Sequence, residues 1–563
     1  MRRCVASLSL TSRADVGPST LPCLCRRSAS RLSPSGPRAP APTSPSVGDQ
    51  PSASTTERKP ARSPALRAPH RPGPSRLPSA SGQLEPRYNF VDNVFDPTPR
   101  DDQAGHYPLL TARELARYRE PPKRFRALVR DFISDALYNP HYGYFPTQAD
   151  ILDVDIDPDA DAVPSATRKP NATSGVGGFA FNQIRDSFAF DLEVAKRYGA
   201  LRVDVSIPGR GEGRARQVWH TPTELFKPWY ARAVARYLID AHQASSHAFE
   251  PLLIYEIGAG NGTLMIGVLD YIRTYAPALY ARTRYRTIEI SARLARIQAE
   301  RAEASRHAHV VEVVRESLFD WPNARAPETA PCFVLAFEVL DNLAHDLIRY
   351  TVRDHEPMQC VVSADREGDL LEFYEPVTDS LLRRALAARA ATPTMAARPD
   401  RPRWMTDRVR EWQTSLPFAA NLSPPVWIPT QLVQLLEILR DSFPRHRLVA
   451  SDFSSLPDAI EGRDGPVVQT RYKGQTIAVT TYLVSQGYFD IFFPTDFDLL
   501  RDLYAATMGD GRTLAVSSHR DFVERWAELE HATLRDGTVP MLEMYTNAAF
   551  ALSVGSGKDE GAQ

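Results

Sequence analysis

An apolar run, Leu252-Leu-Ile-Tyr-Glu-Ile-Gly258, passes directly into the bend Glu256-Ile-Gly258-Ala-Gly260-Asn-Gly262 and then into a helical pattern. A buried strand that hands over to a helix through a glycine bend belongs to an α/β layer fold, and strands alternating with helices imply a parallel, doubly wound sheet. Glycines are required where a side chain would oppose the tight turn and hold the backbone away from a ligand. In a nicotinamide-binding turn the third glycine falls three places after the second. Here it falls two after, and Thr263 stands at the dinucleotide position, so the spacing favours a cofactor without a pyrophosphate.

The acids around the bend sharpen this. Glu256 can accept hydrogen bonds from an ammonium group and complement a sulfonium charge, whereas a diphosphate would be repelled. The strand-like run at 285–290 ends in Glu289, placed to accept both hydroxyls of a free ribose. The alternative for Glu289 is a cap on the following helix. After a further strand at 309–314, Ser317-Leu318-Phe319-Asp320-Trp321 offers polar and apolar contacts for an adenine, although Asp320-Trp321-Pro322 also fits a plain turn. The expected cofactor is S-adenosyl-L-methionine, with Glu256, Gly258, Gly260, Asn261, Gly262, Glu289 and Leu318 as its binding residues. A nicotinamide-dependent dehydrogenase is the competing reading of the same bend.

A fourth strand, CFVLAFEVL (332–340), leads into Glu338-Val-Leu-Asp341-Asn342-Leu-Ala-His345-Asp346. That polar cluster falls at the carboxyl edge of the sheet, where such folds bind ligands. Methyl transfer needs an acceptor nitrogen held in line, water excluded and one proton managed. Glu338 and Asp341 are the expected catalytic pair, because a guanidinium fork binds two acids. His345 can take the proton or serve only in the structure.

Composition limits the partners. The 67 basic and 68 acidic side chains nearly cancel, which disfavours a general nucleic-acid binder. No uninterrupted apolar stretch reaches the length of a membrane helix, so no membrane insertion is expected. Cys332 and Cys360 are the only cysteines past the leader, which fits a reducing compartment. No metal is expected: the acidic run DVDIDPDADA lacks the ordered ligand loop ending in Glu of a calcium hand. Residues 1–48 carry Arg2, Arg3, Arg13, Arg26, Arg27, Arg31 and Arg38 against Asp15, a pattern resembling a mitochondrial presequence.

The expected organisation is a disordered leader over 1–100 and an N-terminal helical region over 101–250 with an acidic loop insertion at 147–216. The catalytic core spans 251–545 with a helical insertion near 364–430, and a flexible tail covers 546–563. A helix is expected across Phe125, Leu128, Val129, Phe132 and Leu137, and another from Thr221-Pro222 through Leu225, Trp229, Val234 and Leu238. HRLVASDF (446–453), QTIAVTTYLV (475–484) and YFDIFF (488–493) are expected to extend the central sheet.

With these residues in place, the chain resembles the mitochondrial protein arginine methyltransferases that serve as complex I assembly factors, relatives of mitochondrial dysfunction protein A. The resemblance runs from Ala136-Leu137-Tyr138-Asn139-Pro140 and Gly143-Tyr144-Phe145, through Thr221-Pro222-Thr223-Glu224-Leu225-Phe226, to the glycine bend with Thr263 and Leu264. It continues with Glu289, Ser291, Leu294 and Gln298, then Glu338, Asp341 and Leu343, and closes on Asp490-Ile-Phe-Phe-Pro-Thr-Asp496-Phe497. Where that family carries Pro and then Val-His after strand four, this chain has Ala344, His345 and Asp346. The resemblance implies a seven-stranded class I methyltransferase sheet and symmetric dimethylation of an arginine in a complex I subunit, in the mitochondrial matrix. A methyltransferase of another acceptor, or an assembly chaperone that keeps the fold without catalysis, remains as an alternative.

Overall fold

The computed structural model describes residues 88–90, 104–151, 178–200, 217–397, 421–457, 459–460, 462–472 and 475–554. The chain divides into a unit over Met1–Ser81 and one over Gly82–Gln563, and all described residues belong to the second. The Arg-rich presequence pattern, the leader up to residue 87 and the acidic run DVDIDPDADA lie outside the described residues.

Seven strands form the central sheet: β1 (Leu253–Ile257), β2 (Arg284–Ile288), β3 (Val311–Val314), β4 (Cys332–Phe337), β5 (His446–Phe453), β6 (Thr513–Ser518) and β7 (Ala548–Val554). Their order is β6-β7-β5-β4-β1-β2-β3. The pairs β1/β2, β2/β3, β1/β4 and β4/β5 are parallel, while β7 runs antiparallel to both β5 and β6. This is the mostly parallel, doubly wound sheet expected from the sequence.

The inner strands β1, β4 and β5 are buried on both faces, which is why these segments read as apolar runs. Ile254, Phe333, Leu335 and Val449 face one core, and Tyr255, Val334, Ala336, Leu448 and Ala450 face the other. The main helices are α1 (Val129–Tyr138), α2 (Trp229–Gln243), α3 (Thr263–Tyr275), α4 (Ala292–Ala304), α5 (Thr430–Ser442), α6 (Phe497–Met508) and α7 (His519–Trp526). Apolar residues at helical spacing put α2, α3 and α7 into the first core, through Tyr230, Val234, Leu238, Leu264, Val268 and Phe522. Leu432, Leu436, Leu439, Leu500 and Leu503 put α5 and α6 into the second.

A second, antiparallel sheet has the order Tyr88–Phe90, Leu370–Pro376, Pro357–Ala364, Asp346–Tyr350, Val426–Ile428, and Phe125–Leu128 also pairs with Pro357–Ala364. A third core lies between this sheet and α1, with Phe125, Phe132, Leu137, Leu347, Cys360, Val362 and Trp427.

Several boundaries differ from expectation. Phe125–Leu128 is a strand and only Val129–Tyr138 is helical, so 101–250 is not a wholly helical region. The apolar spacing of Phe125, Ala127 and Val129 also fits an alternating strand, and pairing with a distant segment decided between the two. The segment 147–216 is more than a loop, since Ala149–Ile151 pairs in parallel with Gln217–Trp219 and Ser187–Ala200 is a helix. That helix holds because Phe190, with Phe179 and Phe181, packs against Phe226. Of the three late segments, only 446–453 joins the central sheet. Gln475–Val479 and Asp490–Phe492 instead flank Val467–Tyr472 in a separate three-stranded sheet, and β6 and β7 complete the central one. The expected tail at 546–563 therefore contributes β7, buried between β5 and β6. In the insertion near 364–430 the Ala/Arg-rich stretch is helical over Ser380–Ala390, packed on α5 with an Arg384–Glu437 ion pair of 2.8 Å.

Candidate functional site

Strand register assembles the site at the carboxyl edge. Ile257 pairs with Ile288 and Ala336, and Phe337 pairs with Ser451. One residue beyond these pairs the chain reaches Gly258 and Glu289, and beyond Phe337 and Ser451 it reaches Glu338 and Asp452. Four neighbouring strand tips thus bring the glycine bend and three acids side by side. Gly258 N–H donates to Ile288 O at 3.0 Å, holding the bend beside the tip of β2.

Gly258, Gly260 and Gly262 have φ of +66°, +53° and +78°. An L side chain is strained in that region, and a Cβ on Gly258 would meet Val339 Cγ2 at 3.3 Å. The surface of the bend at Gly258 is exposed, leaving its backbone accessible. Underneath, Glu224 Oε1 accepts from Thr263 Oγ1 at 2.6 Å and from Asn261 Nδ2 at 3.3 Å, while Lys227 Nζ lies 3.2 Å from its Oε2. Gln298 on α4 donates to Gly260 O at 2.9 Å and to Glu289 Oε2 at 3.1 Å, so one amide ties the bend to the acid of β2.

Glu256 is buried, accepts from Tyr285 Oη–H at 2.7 Å, and is pushed up to about 7 by burial, with the nearby Glu289 charge adding to the rise. Glu289 is also buried and raised by burial, against hydrogen bonds that lower it. Its Oε1 accepts from Ser291 N–H at 2.8 Å, so the capping alternative is realised in part. Ser291 itself caps α4 through Leu294 N–H, and Glu289 Oε2 remains turned to Gln298. Leu318 is buried at the start of the short turn Leu318–Asp320. Ile290, immediately after Glu289, is 45% exposed.

On the loop after β4, Glu338 is half-buried with φ +52° and donates its N–H to Ser451 O at 2.9 Å. Asp341 is buried, and its Oδ1 has no hydrogen-bond partner among the described residues. Loss of water raises both carboxyls well above their usual range, Glu338 with help from Asp452, and Asp341 with help from Asp452, Asp490 and Glu338. Asp452 at the end of β5 accepts from the N–H groups of Val339, Leu340 and Asp341 at 3.1, 2.7 and 3.2 Å, which fixes the loop carrying both acids. His345 stacks on Phe493 at 3.8 Å and donates Nδ1–H to Leu343 O at 2.8 Å. Burial drives it down to about 4, so it is neutral and held by packing.

The fold brings Glu256, Gly258, Gly260, Asn261, Gly262 and Glu289 together with the loop that carries Glu338 and Asp341, while Leu318 lies after β3, buried in the second core. It adds Glu224, Gln298, Ile290, Asp452, Asp490 and Tyr138. Gln298 and Asp490 stand in the segments that carry the family resemblance, and Asp452 sits at the end of a recognisable strand. A side-chain-free backbone bend flanked by buried acids, with a charge to be compensated, fits a positively charged nucleoside and repels a diphosphate.

This strand order with an acid-flanked glycine bend at the carboxyl edge defines a class I methyltransferase fold. Residues 233–513 match a family described as "Putative S-adenosyl-L-methionine-dependent methyltransferase". The chain belongs to this S-adenosyl-L-methionine-dependent family. It is 26% identical over 228 residues to the Saccharomyces cerevisiae protein named mitochondrial protein arginine methyltransferase NDUFAF7 homolog, covering 38% of this chain and 50% of that one. The Schizosaccharomyces pombe protein of the same name is 20% identical over 316 residues, covering 54% and 65%. The chain thus spans half to just under two thirds of these curated relatives. A solved structure of a COG1565 superfamily member from Burkholderia thailandensis, bound to S-adenosyl-homocysteine, is 16% identical with a TM-score of 0.45, covering 82% of this chain and 95% of that one.

Proposed function

We propose that this protein is an arginine methyltransferase of the mitochondrial matrix, which forms symmetric dimethylarginine on a subunit of respiratory complex I and so supports assembly of that complex. The observation that carries this reading is the buried Asp341 carboxyl with its unpartnered Oδ1, set among further acids beside the glycine bend. A buried carboxylate without compensation is costly, and a cationic acceptor supplies what it lacks. The names of the two fungal relatives support arginine as that acceptor and the mitochondrion as the place.

S-adenosyl-L-methionine, when bound, supplies a methyl group activated by a sulfonium centre. Gly258, Gly260, Asn261 and Gly262 would hold it through their backbone, Glu256 its ammonium, Glu289 its ribose hydroxyls, and Leu318 with Ile290 its adenine. Glu338 and Asp341 would orient the guanidinium. Polarising that cation localises a lone pair on the nitrogen that attacks. The same carboxyls, held high by burial, suit the proton that the methylated nitrogen releases.

Mass spectrometry of mitochondrial proteins from cells with and without this chain tests the reading. The expected result is the loss of a symmetrically dimethylated arginine from one complex I subunit. Unchanged arginine methylation across those proteins would overturn it.

A further inference from the structure

Resting on the arginine reading above, we propose that Asp490 and Asp341 together grip the cationic end of the acceptor, with the Tyr138 phenol anchoring the loop that joins them. Asp490 comes from the small three-stranded sheet, outside the central fold, where it begins the strand Asp490–Phe492 and pairs with Gln469.

Three separate parts of the chain converge here. Phe493 N–H donates to Asp341 O at 2.7 Å, which ties the strand to the loop after β4. Asn342 Nδ2 donates to Asp490 Oδ1 at 3.3 Å, and Tyr138 on α1 donates its hydroxyl to Asn342 O at 3.1 Å. The Tyr138 phenol is buried within reach of the charges of Asp341, Asp490 and Glu289.

Asp490 is buried, and its carboxyl is met by the Ile491 backbone N–H and by one long hydrogen bond from the Asn342 amide, both neutral donors. Asp341 Oδ1 is buried with none. Asp452 differs: three backbone N–H groups already satisfy its Oδ2, so it anchors the loop. Neutral donors leave the charge of these two buried carboxyls uncompensated and Asp341 Oδ1 open, which suits a ligand that presents several N–H groups around one positive charge. A guanidinium presents five in a rigid plane and can donate to both at once, whereas an ammonium is a point charge and a neutral urea lacks the charge.

The test is calorimetric titration of N-acetyl-arginine methylamide into the full chain loaded with S-adenosyl-homocysteine, with the citrulline and lysine analogues alongside. Wild type is expected to prefer the arginine probe. Asp490→Asn, which keeps the shape and an acceptor for Asn342, is expected to weaken it about tenfold or more while S-adenosyl-homocysteine binds within about twofold of wild type. Asp490→Ser provides a second variant, read in the same way. Undiminished arginine binding in a variant that still binds S-adenosyl-homocysteine overturns the assignment of Asp490 and leaves the arginine reading standing. A wild-type protein that binds S-adenosyl-homocysteine but not the arginine probe, or binds the citrulline analogue equally well, overturns both.

Discussion

Glu256→Gln should stabilise the ligand-free protein at alkaline pH while weakening its hold on the cofactor. Glu256 is buried beneath the glycine bend and pushed from its ordinary 4.5 up to about 7 by burial. A carboxyl raised in this way favours folding below its unfolded value, and that advantage disappears as pH rises through the folded value, because ionisation then occurs in a site poor in water. At about 1.4 kcal/mol for each tenfold change in ionisation, the penalty at pH 8 is about 3 kcal/mol. Gln removes it and keeps an oxygen for the Tyr285 hydroxyl. The melting temperature of the variant at pH 8 should exceed that of wild type by on the order of 5 °C, and the difference should vanish near pH 5. Loss of a charge-assisted bond to an ammonium should weaken S-adenosyl-L-methionine about tenfold to a hundredfold. Thermal unfolding at pH 5 and 8, paired with calorimetry, reads both effects. A variant that melts below wild type at pH 8 and binds the cofactor equally well would refute the reasoning.

Three further substitutions probe the surroundings. Glu224→Ala removes the acceptor shared by Asn261 and Thr263 and its ion pair with Lys227, so the dissociation constant for S-adenosyl-L-methionine should rise about tenfold or more by calorimetry. Gly258→Ala forces a side chain into φ +66° and against Val339, at a cost of about 1–2 kcal/mol; binding kinetics should show a corresponding loss of cofactor affinity. Since burial holds His345 neutral, His345→Asn should lower the melting temperature yet leave the pH profile of methyl transfer between pH 6 and 9 unchanged in shape.

Among the first four strands, Leu253–Ile257 and Cys332–Phe337 were legible because each is buried on both faces and therefore reads as an apolar run, and Arg284–Ile288 and Val311–Val314 by their β-branched residues between helical segments. Their shared register then fixed the glycine bend beside Glu289 and Glu338, so those acids were legible from position alone. Two later strands were not. Ala548–Val554 is rich in alanine and near the chain end, and Thr513–Ser518 has small polar residues, so neither carries a strong alternating signal. Strand propensity at Gln475–Val479 and Asp490–Phe492 was visible, but propensity does not say which sheet a strand joins. In the antiparallel sheet, Asp346–Tyr350, Pro357–Ala364 and Leu370–Pro376 follow one another in the chain, but the pairing of Phe125–Leu128 with Pro357–Ala364 joins segments far apart and stayed hidden. For the same reason the partners of Glu224, at Asn261 and Thr263, could not be read from local pattern.

The central claim is that an acid-flanked, side-chain-free bend receives a positively charged nucleoside. Titrating S-adenosyl-L-methionine into wild type and Gly260→Val, each first shown to be folded by circular dichroism, addresses it directly. Saturable heat in wild type and its loss in the variant is the expected result. A folded wild type that gives no heat, or a variant that binds as tightly, would contradict the account.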